Sequence, residues 1–230
     1  MRIDIWSDVV CPWCWIGKHR FQRGLELLGA DAPEVEVRWH PFLLDPDAGT
    51  TPVPLREAYA SKFGGIERTN QMLAQTQGAA QAEGLPMDFS KGQVKVSTLS
   101  AHRLMWLAGQ YGVQEQVGEA LFHAHFAEGR NLADPQVLIA AAAGEIPAER
   151  VQAMLASDEG LAQVQAGIGQ AQALGIQSVP TFVINGQYAV QGGQPPEVFA
   201  DVLRKIAAEQ APKGRAGDDE QACGPDSCSV

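Results

Sequence analysis

The chain has 230 residues, a length that suits one large domain or one domain carrying an insertion. Apolar residues at 45% exclude global disorder, and no apolar run is long enough to span a bilayer. A net charge of −10, with no Lys/Arg cluster to offset it, excludes a polyanion such as DNA or RNA as the partner.

Met1-Arg2-Ile3-Asp4-Ile5-Trp6 has no secretory pattern, and a cysteine motif follows closely, so residence in the cytoplasm is expected, with no membrane partner. Arg2 to Ser7 is β-prone and alternating, which predicts a strand. Cys11-Pro12-Trp13-Cys14 then opens a helix: Pro12 suits the first helical position, Phe21, Leu25 and Leu28 continue an apolar stripe, and Gly29 is a stop. Val35, Val37 and Trp39 alternate with charged residues and give a second strand ending near Pro41. Strand, helix, strand favours a parallel pair with a right-handed crossover.

After a Pro/Gly/Thr-rich break the signals become helical and no strand is expected from residue 55 to 174. Ser97/Thr98 reads as a cap ahead of Leu104, Leu107 and Tyr111; Asp134-Pro135 reads as cap and first-turn proline; Pro147 opens a short helix, and Asp158-Glu159 begins a long one through Leu174. Thr181 to Ile184 and Tyr188 to Val190 then flank Asn185-Gly186, a type I′ hairpin signal. Val198, Val202, Leu203 and Ile206 mark a last amphipathic helix. The pattern is an α/β, thioredoxin-like fold split by a large α-helical insertion. Residues 1–54 and 175–210 form the thioredoxin-like part, 55–174 the insertion, and 211–230 a flexible C-terminal tail.

The four cysteines fall in two close pairs, Cys11/Cys14 and Cys223/Cys228, a redox or metal signature rather than a structural framework. At a helix start the Cys11 sulfur faces unsatisfied backbone N–H groups and the positive end of the helix dipole, which favour thiolate over thiol. Cys14, almost one turn on, can reach back to release a substrate from a mixed disulfide. Pro12 stiffens the turn, and Trp13 offers an apolar contact surface. In a thioredoxin-like fold the Val179-Pro180 turn faces the reactive cysteine and exposes the Val179 backbone to an extended substrate. The redox group is then the dithiol itself: no resident cofactor and no metal are expected.

Ser7-Asp8-Val9-Val10-Cys11-Pro12-Trp13-Cys14, with Val179-Pro180-Thr181 and the helical insertion, resembles the DsbA-like family over about residues 1 to 210. Within it the chain is most similar to the cytoplasmic FrnE-type oxidoreductases and disulfide isomerases. The resemblance implies Cys11 as nucleophile, Cys14 as resolving thiol and Pro180 in cis at the substrate site. It further implies protein or peptide thiols and disulfides as partners, with glutathione, as co-substrate, or a thioredoxin system as reductant. The wider circle includes kappa-class glutathione transferases and hydroxychromene-carboxylate isomerases, which supply the alternative of a glutathione-dependent small-molecule enzyme. Two positions depart from the family pattern. Trp13 stands where periplasmic relatives have His, and Ile5 where the family often has a buried acid, with Asp4 and Asp8 nearby.

Cys223-Gly224-Pro225-Asp226-Ser227-Cys228 can turn so that its two sulfurs meet. The thirteen residues from Gln210 to Cys223 span roughly 20 Å as a flexible chain. The tail pair thus reads as a relay to Cys11, as FrnE-type proteins suggest, as a disordered end with incidental thiols, or as half of a four-cysteine zinc site. His19 and His40 are read as packing residues, one of His123 and His125 as a core or boundary residue and the two together as a poor metal pair, Trp15, Trp39 and Trp106 as core aromatics, and Trp6 and Trp13 as residues that could border the site.

Overall fold

A computed structural model describes residues 1–210; the expected tail, with Cys223 and Cys228, lies outside the described residues. Strand β1 (Arg2–Ser7) pairs in parallel with β2 (Glu36–Pro41) across helix α1 (Pro12–Leu28), the expected crossover. After the helical segment the chain returns as β5 (Thr181–Ile184) and β6 (Tyr188–Gln191), then α9 (Pro196–Gln210). Both returning strands are antiparallel to their neighbours, and the sheet order is β2-β1-β5-β6. The hairpin turn is made by Asn185 and Gly186 with φ of 51° and 69°, the positive pair that a type I′ turn requires.

The intervening segment runs β3 (Val53–Pro54), α2 (Leu55–Phe63), α3 (Ile66–Ala82), β4 (Val94–Lys95), α4 (Leu99–Tyr111), α5 (Gln114–Phe126), α6 (Pro135–Ala141), α7 (Ala148–Leu155) and α8 (Leu161–Ala173). The expectation of a strand-free insertion is corrected at one point: Val94 and Lys95 pair antiparallel with Val53 and Pro54, and Leu55 N–H continues the link to the Gln93 carbonyl. A two-residue ladder has no room to show alternation. The Asp134 cap forms as read, accepting the Gln136 N–H at 2.9 Å. Thr98 is the residue before α4, but its side chain makes no cap bond. The long helix expected to begin at Asp158-Glu159 begins instead at Leu161, after the positive-φ Gly160.

Three large buried clusters and a small one of Trp6, Ala171 and Ile176 divide the interior. Ile3, Ile5, Phe21, Phe182 and Phe199 join the sheet to α1 and α9. At Gly24 a Cβ would stand 2.7 Å from Phe199 Cβ, so this glycine sets how closely α1 and α9 approach. Leu104, Leu107, Val117, Leu121, Leu138 and Val151 form the core of the helical segment. Between these, Cys11, Cys14, Trp15, Met87, Phe122 and Phe126 form a third cluster. The dithiol is therefore built into the seam where α1 meets the helical segment. Trp15 is fully buried, whereas Trp39 and Trp106 are half-buried at the core's margin.

Candidate active site

Strand β1 ends at Ser7, and the chain turns through Asp8, Val9 and Val10, with Cys11 N–H donating to the Asp8 carbonyl at 2.9 Å. Cys11 is the N-cap of α1, its backbone extended (φ −92°, ψ 112°), and Pro12 takes the first turn, where a missing N–H loses nothing. Both thiols are free and buried, Cys11 at 4% exposure and Cys14 at 1%. Burial, and next the neighbouring Cys11, push the Cys14 thiol well above its ordinary range; the Ser7 hydroxyl and the Asp8 backbone act the other way.

The Val179–Pro180 peptide is cis, and Cys11 Sγ lies 3.7 Å from the Val179 carbonyl oxygen. Thr181 Oγ1 donates to the Ser178 carbonyl at 2.8 Å, and Gly192 N–H to that of Pro180 at 2.7 Å, so the loop is anchored on both sides. It also rests on α1: a Cβ at Gly17 would stand 2.9 Å from Pro180 Cγ and 3.2 Å from Gly193 Cα. Gly17→Val is therefore expected to push the Val179 carbonyl away from Cys11. Disulfide exchange should fall several-fold, and stability by about 1–3 kcal/mol, the usual result of overpacking. Urea midpoints and peptide-disulfide reduction measured on one preparation would separate the two effects.

Of the sequence-predicted site residues, Cys11, Cys14, Pro12, Trp13, Val179 and Pro180 come together around the start of α1, with Trp13 40% exposed beside the buried thiols. Cys223 and Cys228 lie outside the described residues. Trp6 is buried rather than at the surface of the site, stacked on His40 at 4.5 Å, and His40 Nε2 is 2.8 Å from Asp4 Oδ1. Among the described residues no group of three His, Cys, Asp or Glu side chains is placed to hold a metal ion.

The structure adds polar residues that sequence reasoning missed or left without a role. Asp8, 1% exposed, accepts the Leu44 N–H at 2.9 Å through Oδ2. Its Oδ1 is 3.3 Å from His102 Nε2, which lies 3.0 Å from the Phe42 carbonyl and so carries its proton there. Burial, and then the nearby Cys11 and Asp8, raise the Tyr59 hydroxyl to about 12. His125, 1% exposed, sets its ring against Phe126, and neither ring nitrogen has a hydrogen-bond partner among the described residues.

One turn after Cys14, the buried Lys18 ammonium is 2.8 Å from Glu115 and pairs with Glu119, which also accepts from the Trp15 indole at 2.9 Å and faces His19. Burial opposes ionisation of Glu119. The bonds from His19 and Lys18, the Lys18 charge and the Trp15 indole outweigh it and bring the carboxyl down to about 2. A helical i, i+4 count from Cys14 to Lys18 was the one sequence signal for this network.

Comparison with known proteins agrees with this geometry. The DSBA-like thioredoxin domain model matches residues 2–204. The chain belongs to that family. It is 35% identical to a probable DsbA oxidoreductase from Streptomyces coelicolor, with a TM-score of 0.86 over 100% of this chain and 99% of that one. It is 27% identical to the uncharacterised protein YwbO of Bacillus subtilis, over 93% of this chain and 99% of that protein. The cytosolic disulfide reductase DsbM from Pseudomonas aeruginosa, solved with GSH, shares the fold at 18% identity and a TM-score of 0.60, over 91% and 98% of the two chains. No helix among the described residues is long and apolar enough to cross a membrane.

Proposed function

We propose that this DsbA-like chain is a thiol–disulfide oxidoreductase acting on protein or peptide disulfides, as reductase or isomerase, in the cytoplasm. The observation that carries the reading is the Cys11 sulfur held 3.7 Å from the Val179 carbonyl, at the edge of a loop whose backbone can pair with an extended peptide. In the reductive direction, Cys11 thiolate attacks a substrate disulfide, forming Cys11–S–S–R and releasing one substrate thiolate. Cys14 then attacks the Cys11 sulfur, forming the Cys11–Cys14 disulfide and releasing the second. The substrate gains two electrons and the dithiol loses two. Pro12, Trp13, Val179 and Pro180 make the contact surface. Trp13 brings no cationic imidazole beside Cys11, which favours reduction and isomerisation over strong oxidation.

Glutathione, present in the related DsbM structure, or a thioredoxin system fits the role of reductant. The tail pair Cys223/Cys228 is read as a relay handing electrons to the Cys11–Cys14 disulfide. Insulin reduction and refolding of scrambled ribonuclease test the main reading: activity in at least one is expected, and inactivity of the fully reduced and the fully oxidised protein in both would sink it. A Cys223→Ser/Cys228→Ser variant is expected to keep the first turnover and slow steady-state cycling several-fold. Unchanged cycling with every reductant would remove the relay.

A further inference from the structure

An extended substrate can pair with the Val179–Pro180 loop only while that loop keeps its edge toward Cys11, and what holds it there runs back to α1. We propose that Arg20 is a positioning residue for substrate: its guanidinium ties the end of α3, in the helical segment, to the Gly192-Gly193 turn that supports the Val179–Pro180 loop. The proposal rests on the dithiol reading above.

The arrangement begins with a helical stripe. Trp13, Gly17, Arg20 and Gly24 follow one another at intervals of four, three and four residues, so they share one face of α1. That face meets the returning part of the chain along its length. A Cβ on Gly193 would stand 3.3 Å from the Trp13 carbonyl oxygen and 3.3 Å from Gly17 Cα, and one on Gly24 would stand 2.9 Å from the Pro196 carbonyl oxygen. The backbone of the turn therefore lies directly on the helix. Arg20 is the one charged side chain among the four.

Arg20 gives separate nitrogens to separate elements. Its Nη1 donates to the Gly193 carbonyl at 2.7 Å, and its Nε donates to Glu83 Oε1 at 2.7 Å. Glu83 caps the C-terminal end of α3. The Glu83 side chain is 7% exposed and that of Arg20 18%, so water competes little for either bond. One residue before the held carbonyl, Gly192 N–H donates to the Pro180 carbonyl at 2.7 Å. Gly192 has φ 78°, which a glycine adopts without strain. The path from Glu83 to the dithiol is thus continuous: carboxylate, guanidinium, Gly193 carbonyl, Gly192 amide, Pro180, and the Val179 carbonyl 3.7 Å from Cys11 Sγ. Arg23 supplies a comparison inside the same cluster. Its Nη1 donates to Glu83 Oε2 at 2.5 Å, but its side chain is 53% exposed and, among the described residues, makes no hydrogen bond to the turn. Loss of Arg20 therefore leaves Glu83 a cationic partner while it frees the Gly193 carbonyl. A lysine in its place keeps the charge but has a single nitrogen where the planar fork has two in use.

The test compares Arg20→Met, Arg20→Lys and Arg23→Met with wild type in three measurements: KM and kcat for a peptide disulfide, the rate at which iodoacetamide alkylates Cys11, and amide hydrogen exchange at Gly192 followed by NMR. Both Arg20 variants are expected to raise KM about five- to tenfold while kcat stays within about twofold, the pattern of lost substrate positioning. Alkylation of Cys11, which needs no loop, is expected to stay within about twofold, and exchange at Gly192 to quicken about tenfold or more as the turn opens locally. Arg23→Met is expected to match wild type in all three. A KM unmoved in the Arg20 variants, an equal rise in Arg23→Met, or a Gly192 amide as protected as in wild type would overturn the inference, and so would an Arg20→Lys variant indistinguishable from wild type. If Arg20→Met fails to fold, Arg20→Lys against Arg23→Met decides. If the wild-type protein turns over no peptide disulfide at all, the dithiol reading fails first and the positioning role falls with it.

Discussion

Replacing Cys11 by Ser is expected to reduce exchange with peptide disulfides by more than about 10³-fold, because removal of a nucleophile removes the route rather than weakening it. A serine hydroxyl stays protonated at neutral pH, and its oxygen cannot form or release the S–S bond on which the cycle depends. The matching expectation for Cys14→Ser is different in kind. Cys11 keeps its place at the helix start beside Val179, so capture of substrate survives, but nothing returns to release it, and a one-to-one mixed disulfide accumulates. Intact-mass measurement after a brief reaction with a peptide disulfide would show one added peptide in Cys14→Ser and none in Cys11→Ser. The pair also separates the two chemical classes raised by the sequence. An enzyme that merely activates glutathione toward a small molecule has no use for the second thiol, and full steady-state turnover by Cys14→Ser would favour that class.

What the sequence disclosed and what it hid divide along a physical line. The β1–α1 junction, the Asn185-Gly186 turn and the Asp134 cap were legible because each is specified by a few adjacent residues acting on their own backbone. The β3–β4 ladder was not: Val53-Pro54 and Val94-Lys95 are far apart in the chain, and neither is long enough to alternate. The polar surroundings of the dithiol were hidden for another reason. Periodicity says which side chains share a face of α4 or α5, but not which face of another element they meet. His102 and Asp8, or Cys11 and Tyr59, come together only once α2, α4 and α5 close over α1. Lys18 was misleading by type, since a lysine is rarely buried, and it is buried here because two glutamates of α5 neutralise it. One of His123 and His125 was expected in the core or at its boundary, and His125 takes that place while His123 faces Glu128 at the surface. The missing hydrogen-bond partners of His125 were not to be seen from sequence.

That buried imidazole leads to the second large effect: the folded state should weaken steeply as pH falls from about 6.5 to about 4. Burial drives the His125 pKa down to about 4; a contact with the Arg130 backbone and the charge of Asp8 oppose the shift without reversing it. In the unfolded chain a histidine titrates near 6.5. Above that value both states hold it neutral and its contribution to stability is complete. Below it the unfolded chain gains a proton that the folded chain refuses, so the contribution drains away and is gone once pH has passed the folded value. The shift corresponds to about 3 kcal/mol across this window. Glu119 also loses stabilising charge in acid, but between its ordinary range and about 2, so the two windows scarcely overlap. Urea midpoints at pH 7 and pH 4.5 should therefore differ widely in the wild-type chain and much less in His125→Leu, which keeps an apolar side chain against Phe126 and has nothing to titrate. A slope between those two pH values that is identical in wild type and His125→Leu would mean that water or a rearranged backbone already solvates the ring. The wall separating the dithiol from the helical core would then be more open than its burial implies.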